Sequence, residues 1–503
     1  MVAETKGNSG SCGCGGCVSV TQSVLMTRRL AAILTILVIP ALFGQSKDSR
    51  KQAADAAAGQ AENQLAPPPG TIARQEEDFQ VYTDHPRLFL PSRRLKLLKR
   101  ERERTSIRWQ QFETLVAGRA PMTEPGFAWS LYYQISGREE FGKQAVQWAL
   151  GNSAADLRQL AIVFDWCQEL LSEGQSRLLA DKLRRGMERS KGSSMTEVRS
   201  RVLAAVALGG HKPEDTQGIL KATVEKWWRG EMVPAISQGK RVVEDEDLFA
   251  MFELMHAIRD NTNIDLRDDI PKYFKELPSY HLHAHYPATF PAAENEFRVP
   301  IYDGDGEPDI RAAVLSRAAD FAMVAFDSNA LENQFLQGWL IHDRFLMKGM
   351  LGIVYEFLWA NPYQPGLSFY HVPLLHHDEV SGSLFVRNSW EEDATWFAYR
   401  NGKAQAFQNG ARKELNLKGS GMIEIGSTTI RFGKDGDLFT VTQEGNETTF
   451  ILGLKPKTAY DVEIDHEEMF EAQTDPGGTL RLPFPPSKDV GVRVHAAGIA
   501  PAE

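Results

Sequence analysis

The spacing of apolar residues changes at Asn361-Pro-Tyr-Gln-Pro-Gly, and this change constrains the fold more than any other feature of the chain. Before it, apolar residues recur at three- and four-residue steps, the period of a helix with one buried face. In LRQLAIVFDWCQELL the residues Leu157, Leu160, Ala161, Phe164, Cys167 and Leu171 form such a stripe, with Ser153 placed to cap its start and Gly174 to follow its end. Segments 178–187, 198–208, 219–228, 248–258, 310–326 and 345–359 repeat the pattern, separated by glycines and other turn residues. Helical hairpins joined by short turns predict a bundle, a solenoid or an α/α toroid. After the change, SLFVRNSW, TWFAYRN, IEIGSTTIRFG, TTFILGL, AYDVEID and GVRVHAA are short runs rich in β-branched and aromatic residues, with turns such as Gly433-Lys-Asp-Gly436 between them. Alternation in Tyr460-Asp-Val-Glu-Ile-Asp predicts strands with one buried face, and the whole part reads as a β-sandwich.

The 503 residues leave room for roughly two to four domains. A net charge of -10 argues against non-specific nucleic-acid binding, which needs a basic surface, but leaves room for an anionic ligand held by local cations. Met26-Thr-Arg-Arg precedes LAAILTILVIPALFG, a basic segment followed by an apolar run that is short for a membrane span. Residues 1–45 therefore read as a leader whose true start is Met26. Export to the periplasm or the medium follows, with no membrane span after cleavage; the alternative is an uncleaved anchor. Residues 46–80, rich in Ala and Gln with Pro67-Pro-Pro-Gly70, read as a flexible tether. Residues 81–366 form the helical part and 367–503 the β part. Cys12, Cys14 and Cys17 have the spacing of soft-metal ligands but sit in a Gly/Ser segment without held geometry, and Cys167 reads as a buried structural thiol.

The densest collection of proton carriers lies between Tyr280 and Asp309, in YHLHAHYPATFPAAENEFRVPIYDGDGEPD. Pro287, Pro291, Pro300 and Pro308 predict an irregular stretch lining a cleft. On an extended chain His281, His283 and His285 point one way, which suggests a metal site lacking a fourth ligand. Asp303-Gly-Asp305-Gly-Glu307-Pro-Asp309 places oxygens at alternate positions like a calcium loop. It departs from the EF-hand at Pro308 and Val314, so a helix entry capped by Asp309 is favoured and no cofactor is expected. Glu244-Asp-Glu-Asp247 precedes an apolar helix, where the helix dipole accounts for it. The chain has no GxSxG, phosphate-loop or HExxH motif.

Four segments carry a resemblance: His85-Pro-Arg-Leu-Phe-Leu, Tyr132-Tyr-Gln-Ile-Ser-Gly-Arg, Ala161-Ile-Val-Phe-Asp165-Trp166-Cys, and Val386-Arg387-Asn-Ser-Trp390-Glu-Glu-Asp-Ala394. With the helical-then-β order, they make residues 81–497 resemble the heparinase II/III-like and alginate-lyase-like polysaccharide lyases. The resemblance implies a multidomain α + β chain, an incomplete α/α toroid followed by an antiparallel β-sandwich, that binds a polysaccharide or oligosaccharide and cleaves an acidic, uronate-containing glycan by β-elimination. That chemistry needs a group to neutralise the carboxylate, a base for the C5 proton and an acid for the leaving oxygen. On this reading His283, His285, Tyr286, Tyr302 and His342 are catalytic candidates, while Asn295, Arg298, Trp339 and Arg344 bind substrate. The chain departs from the family where GKAQAFQNGARKELNLKG replaces a His-x-His-x-Asp-like segment. Non-catalytic glycan binding, an envelope protein and a toroid glycoside hydrolase are the alternatives; the sugar, the mode of cleavage and the oligomeric state stay open.

Overall fold

Packing starts ahead of Val81: Phe79 is buried, and Glu77 pairs with Arg229 at 2.6 Å. The computed structural model describes residues 77–497 apart from 154, 212, 292–295, 305, 345–348, 418–420, 433–437, 442–447, 466–467 and 484–489. The leader, most of the tether, Cys12, Cys14, Cys17, Asn295 and Asp305 lie outside the described residues.

The helices are α1 (Ser92–Glu103), α2 (Ile107–Ala117), α3 (Pro125–Ser136), α4 (Glu139–Gly151), α5 (Leu157–Trp166), α6 (Glu173–Arg189), α7 (Met195–Ala207), α8 (Pro213–Lys221), α9 (Val233–Ser237), α10 (Leu248–Thr262), α11 (Pro271–Ala284), α12 (Ile310–Phe326), α13 (Leu331–His342) and α14 (Gly349–Trp359). Between α8 and α9 the backbone is π-helical from Ala222 to Met232. Helix α3 packs on α5, α5 on α7, α7 on α10, α10 on α12 and α12 on α14, which returns against α2 and α3. Helices α4, α6, α8 and α13 lie against members of this series.

Helix α5 shows why a one-stripe reading is too narrow: every residue from Arg158 to Trp166 is buried. Its start is capped by Asp156, which accepts from the Gln159 amide, and not by Ser153. Gly174 sits in the first turn of α6, where Ser172 and Gln175 form a capping box. Burial of Arg158 is possible because Glu253 meets its guanidinium at 2.7 to 3.0 Å and Glu124 at 2.9 Å; Arg199 also reaches Glu253, and the Tyr355 hydroxyl donates to Glu124 at 2.7 Å. Removing one member of such a buried set costs about 3–5 kcal/mol, because a charge is left uncompensated. The Asp165 carboxylate accepts from the Arg87 and Leu88 amides at 2.8 Å and lies 2.5 Å from His85 Nδ1, which docks the His85-Pro-Arg-Leu segment onto α5.

A two-stranded ribbon, β1 (Phe290–Pro291) with β2 (Glu296–Phe297), precedes the β part. There β3 (Leu375–Asp378), β4 (Ser383–Arg387), β5 (Trp396–Arg400), β6 (Lys403–Gln408) and β7 (Ala411–Leu415) form an antiparallel sheet in chain order. A second sheet contains β8 (Gly421–Ile425), β9 (Thr428–Phe432), β11 (Thr448–Leu452) and β14 (Leu480–Pro483); a third contains β10 (Leu438–Val441), β12 (Ala459–Ile464), β13 (Glu468–Gln473) and β15 (Val490–Ala496). The expectation of wholly antiparallel sheets is corrected at β9 and β11, which run parallel. The chain leaves the second sheet through β10 and re-enters in its former direction, the crossover that parallel pairing requires.

Every position of β4 and β5 is buried, because their sheet is covered on both faces. Leu384, Val386, Phe397 and Tyr399 pack with Ile430, Phe450 and Leu452 of the second sheet. Phe385, Trp396 and Ala398 point the other way, into a cluster with Ala284, Tyr286, Val299 and Ile301. By the two-residue alternation of a strand, Arg387 shares the face of Phe385, toward the helical part. No described helix is long and apolar enough to cross a membrane.

Candidate functional site

Helix α11 joins the two parts and carries the first residues of the proton-rich stretch. The stretch is not irregular from Tyr280: it stays helical to Ala284, with Pro278 inside the helix. Burial of Leu277, Pro278, His281 and Leu282 holds the helix together despite the missing proline donor. On a helix, positions two apart face nearly opposite directions, so His281 and His283 diverge and the one-sided metal arrangement is overturned. Among the described residues no group of three His, Cys, Asp or Glu side chains is placed to hold a metal ion.

Each of these imidazoles has a local task. His281 Nδ1 lies 2.7 Å from Asp320; burial disfavours its charged form, but the carboxylate outweighs this and raises its pKa. His283 places its two ring nitrogens 2.8 and 2.9 Å from the Ser279 and Pro373 carbonyls, of which the neutral ring donates to one; burial, with His376 and Arg387 nearby, lowers its pKa to about 3. His285 Nδ1 donates to the His281 carbonyl at 2.8 Å, which leaves Nε2 as the acceptor 3.4 Å from the Ser316 hydroxyl. Burial holds His285 down to about 4, so it is neutral at neutral pH. The Tyr286 hydroxyl donates to Gln405 at 2.7 Å, and burial pushes its pKa up to about 12.

Two hollows flank the C-terminal turns of α11. The larger, about 320 Å³, is walled by apolar side chains including Val242, Leu248, Ile270 and Leu277, with Tyr273, Tyr280 and His376 also facing it. Its charges are largely matched within the protein. Asp245 is held by Arg241 at 2.9 Å and Arg400 at 2.6 Å, and the Tyr280 hydroxyl lies 3.3 Å from both Asp245 and Arg400. Burial works against the Asp245 carboxylate, but the two guanidiniums outweigh it and lower its pKa. The acidic run 244–247 thus serves as an ion-pair anchor as well as a helix entry.

The smaller hollow, about 30 Å³, brings together His285, Tyr286, Arg298, Trp339 and His342 with Phe369, Arg387, Trp390, Glu391 and Glu392. Five of the residues selected from the sequence therefore share one site. His283 lies behind it, its ring 5.0 Å from Trp390. Tyr302 lies behind Tyr286, under Arg412, with its hydroxyl donating to the Gly306 carbonyl at 3.1 Å. Arg344 is exposed beyond the end of α13 and does not line the hollow. Arg298 lines it but is already neutralised, by Asp343 at 3.0 and 3.1 Å and by Glu392 at 3.0 Å.

Arg387 is the cation that sequence reasoning missed. It is 4% exposed, its guanidinium lies 4.1 Å above the Trp390 ring, its Nε is buried without a hydrogen-bond partner, and no carboxylate among the described residues pairs with it. Burial, together with Arg298, lowers its pKa to about 9, so it stays a cation at neutral pH and an incoming anion would relieve it. Trp390 is fixed by its own indole N–H, which donates to the Val372 carbonyl at 3.0 Å. The available signal was the alternation of SLFVR, which aims Arg387 away from the sandwich core.

No protein-family model matches the chain, and no curated protein matches it. Among solved structures, a chain titled "Glycoside hydrolase" aligns over 74% of this chain and 71% of its own length, with a TM-score of 0.30 and 8% sequence identity. A likeness at that level carries no argument about fold or chemistry.

Proposed function

We propose that this chain is an exported protein that takes an acidic glycan by its carboxylate at Arg387 and cleaves it by β-elimination, as a polysaccharide lyase. The observation that carries the reading is the buried Arg387 guanidinium, stacked on Trp390 without a carboxylate partner among the described residues. A buried cation of this kind is costly unless an anion completes it, and a planar fork matches a uronate carboxylate. Neutralising that carboxylate is also the first requirement of the lyase reaction, because it acidifies the C5 proton. His342, exposed at the mouth, takes that proton; the C4–O bond breaks as the C4–C5 double bond forms, and protonated His342 returns the proton to the leaving oxygen. The helix series that returns from α14 to α2 and α3 supports an incomplete α/α toroid, and the basic-then-apolar leader supports export.

One observation favours a second reading, binding without cleavage: His283, His285, Tyr286 and Tyr302 are committed to internal hydrogen bonds, which leaves His342 as the one of the five catalytic candidates with no such bond among the described residues. Incubating the chain with a panel of uronate polysaccharides while following ultraviolet absorbance of unsaturated product, with calorimetric binding in parallel, separates the two. Product formation that disappears in His342→Ala is expected. Binding with no product from any substrate replaces the lyase by the binding protein, and absence of binding removes both.

A further inference from the structure

We propose that the Arg387 hollow selects a uronate flanked by neutral sugars over a run of consecutive uronates, an inference that rests on the acidic-glycan reading above. Its size comes first. One water needs about 10–15 Å³ of such space, so a hollow of about 30 Å³ admits a carboxylate and not a sugar ring. The ring and its neighbours must lie outside, across the lip.

The lip has two chemical features. Tyr370 is 45% exposed, stacks on Phe369 at 4.5 Å and meets the edge of His342 at 6.3 Å. Phe369 and His342 both line the hollow, so Tyr370 continues its wall outward as an aromatic face on which an uncharged sugar can lie. Glu391 and Glu392 are exposed at the same mouth, with Glu391 beside the Tyr370 hydroxyl. Glu392 is balanced by Arg298, whereas Glu391 has no cation partner among the described residues. A carboxylate seated on Arg387 is welcome. A second carboxylate on an adjoining sugar meets Glu391 instead, where like charges repel.

The experiment is calorimetric titration of the full chain with two tetrasaccharides of equal length. One alternates glucuronate with N-acetylglucosamine; the other is tetragalacturonate. At low salt the alternating chain should bind about tenfold more tightly, and the preference should shrink as salt screens the lip. Glu391→Gln should narrow the gap by strengthening the polyuronate. Tyr370→Ala should weaken the alternating tetrasaccharide about five- to tenfold while leaving free glucuronate unchanged, as loss of one aromatic contact implies. Equal or reversed preference in the wild type, or a gap unmoved by Glu391→Gln, overturns the selection while leaving the acidic-glycan reading in place. Failure of the folded wild type to bind either oligosaccharide overturns that reading and this inference with it.

Discussion

The two hollows beside α11 differ in the opposite sense from their sizes. The large one has ample room, but its Asp245 carboxylate lies between two guanidiniums and its walls are largely apolar. The small one has room for little more than a carboxylate, yet it contains a buried cation with no counter-ion among the described residues. A protein pays a stability cost for an unmatched buried charge, so the smaller hollow, not the larger one, is where function is to be sought. Proteins commonly trade stability for function at such places.

The sharpest way to break this contrast is to exchange the cation. Arg387→Met should lower affinity for a uronate oligosaccharide about a hundredfold, the loss expected for a charge-assisted two-point contact. The same change should leave the melting temperature level or raise it, because replacing an unmatched buried charge with an apolar side chain is neutral or stabilising. A fall in both would make Arg387 a structural residue. Asp245→Asn on the other side should behave inversely: stability by chemical denaturation drops by about 2–3 kcal/mol, since two guanidiniums lose their shared carboxylate, while glycan affinity holds.

Acidification should weaken the fold in stages. His283, His285 and His376 have pKa values lowered to about 3, 4 and 4, each chiefly by burial, and they stay neutral in the fold. The unfolded chain binds their protons near the ordinary value of about 6.5, so stability falls as pH drops from there toward 4, by up to about 1.4 kcal/mol per pH unit for each imidazole. Asp245 is depressed, so its contribution is present above the ordinary carboxylate range and is lost only below it. Denaturant unfolding against pH should show the imidazole loss first, and Asp245→Asn should remove only the later part. The smallest effect belongs to Tyr273→Phe in the larger hollow, which should change glycan affinity by less than about twofold; a large change would move the site across α11.

The order of helices and strands was legible because periodicity records burial directly, as in the alternation of Tyr460 to Ile464, which became β12. The continuation of α11 through His283 was not, since Pro278 argues locally against a helix and only packing against β4 and β5 decides for it. The site was half legible. His285, Tyr286, Trp339 and His342 drew notice by residue type, and the ends of α11 and α13 bring them together. Arg298 and Arg387 look alike in sequence. Their difference lies in partners: Asp343 and Glu392 meet the first, and no described carboxylate meets the second. That is a tertiary fact with no local signature.

The most direct test of the account is calorimetric titration of one uronate-containing tetrasaccharide into the wild type and Arg387→Met, with circular dichroism confirming that both are folded. Saturable binding by the wild type and its loss, by about a hundredfold, in the variant are expected. Equal binding by the two folded proteins would contradict it.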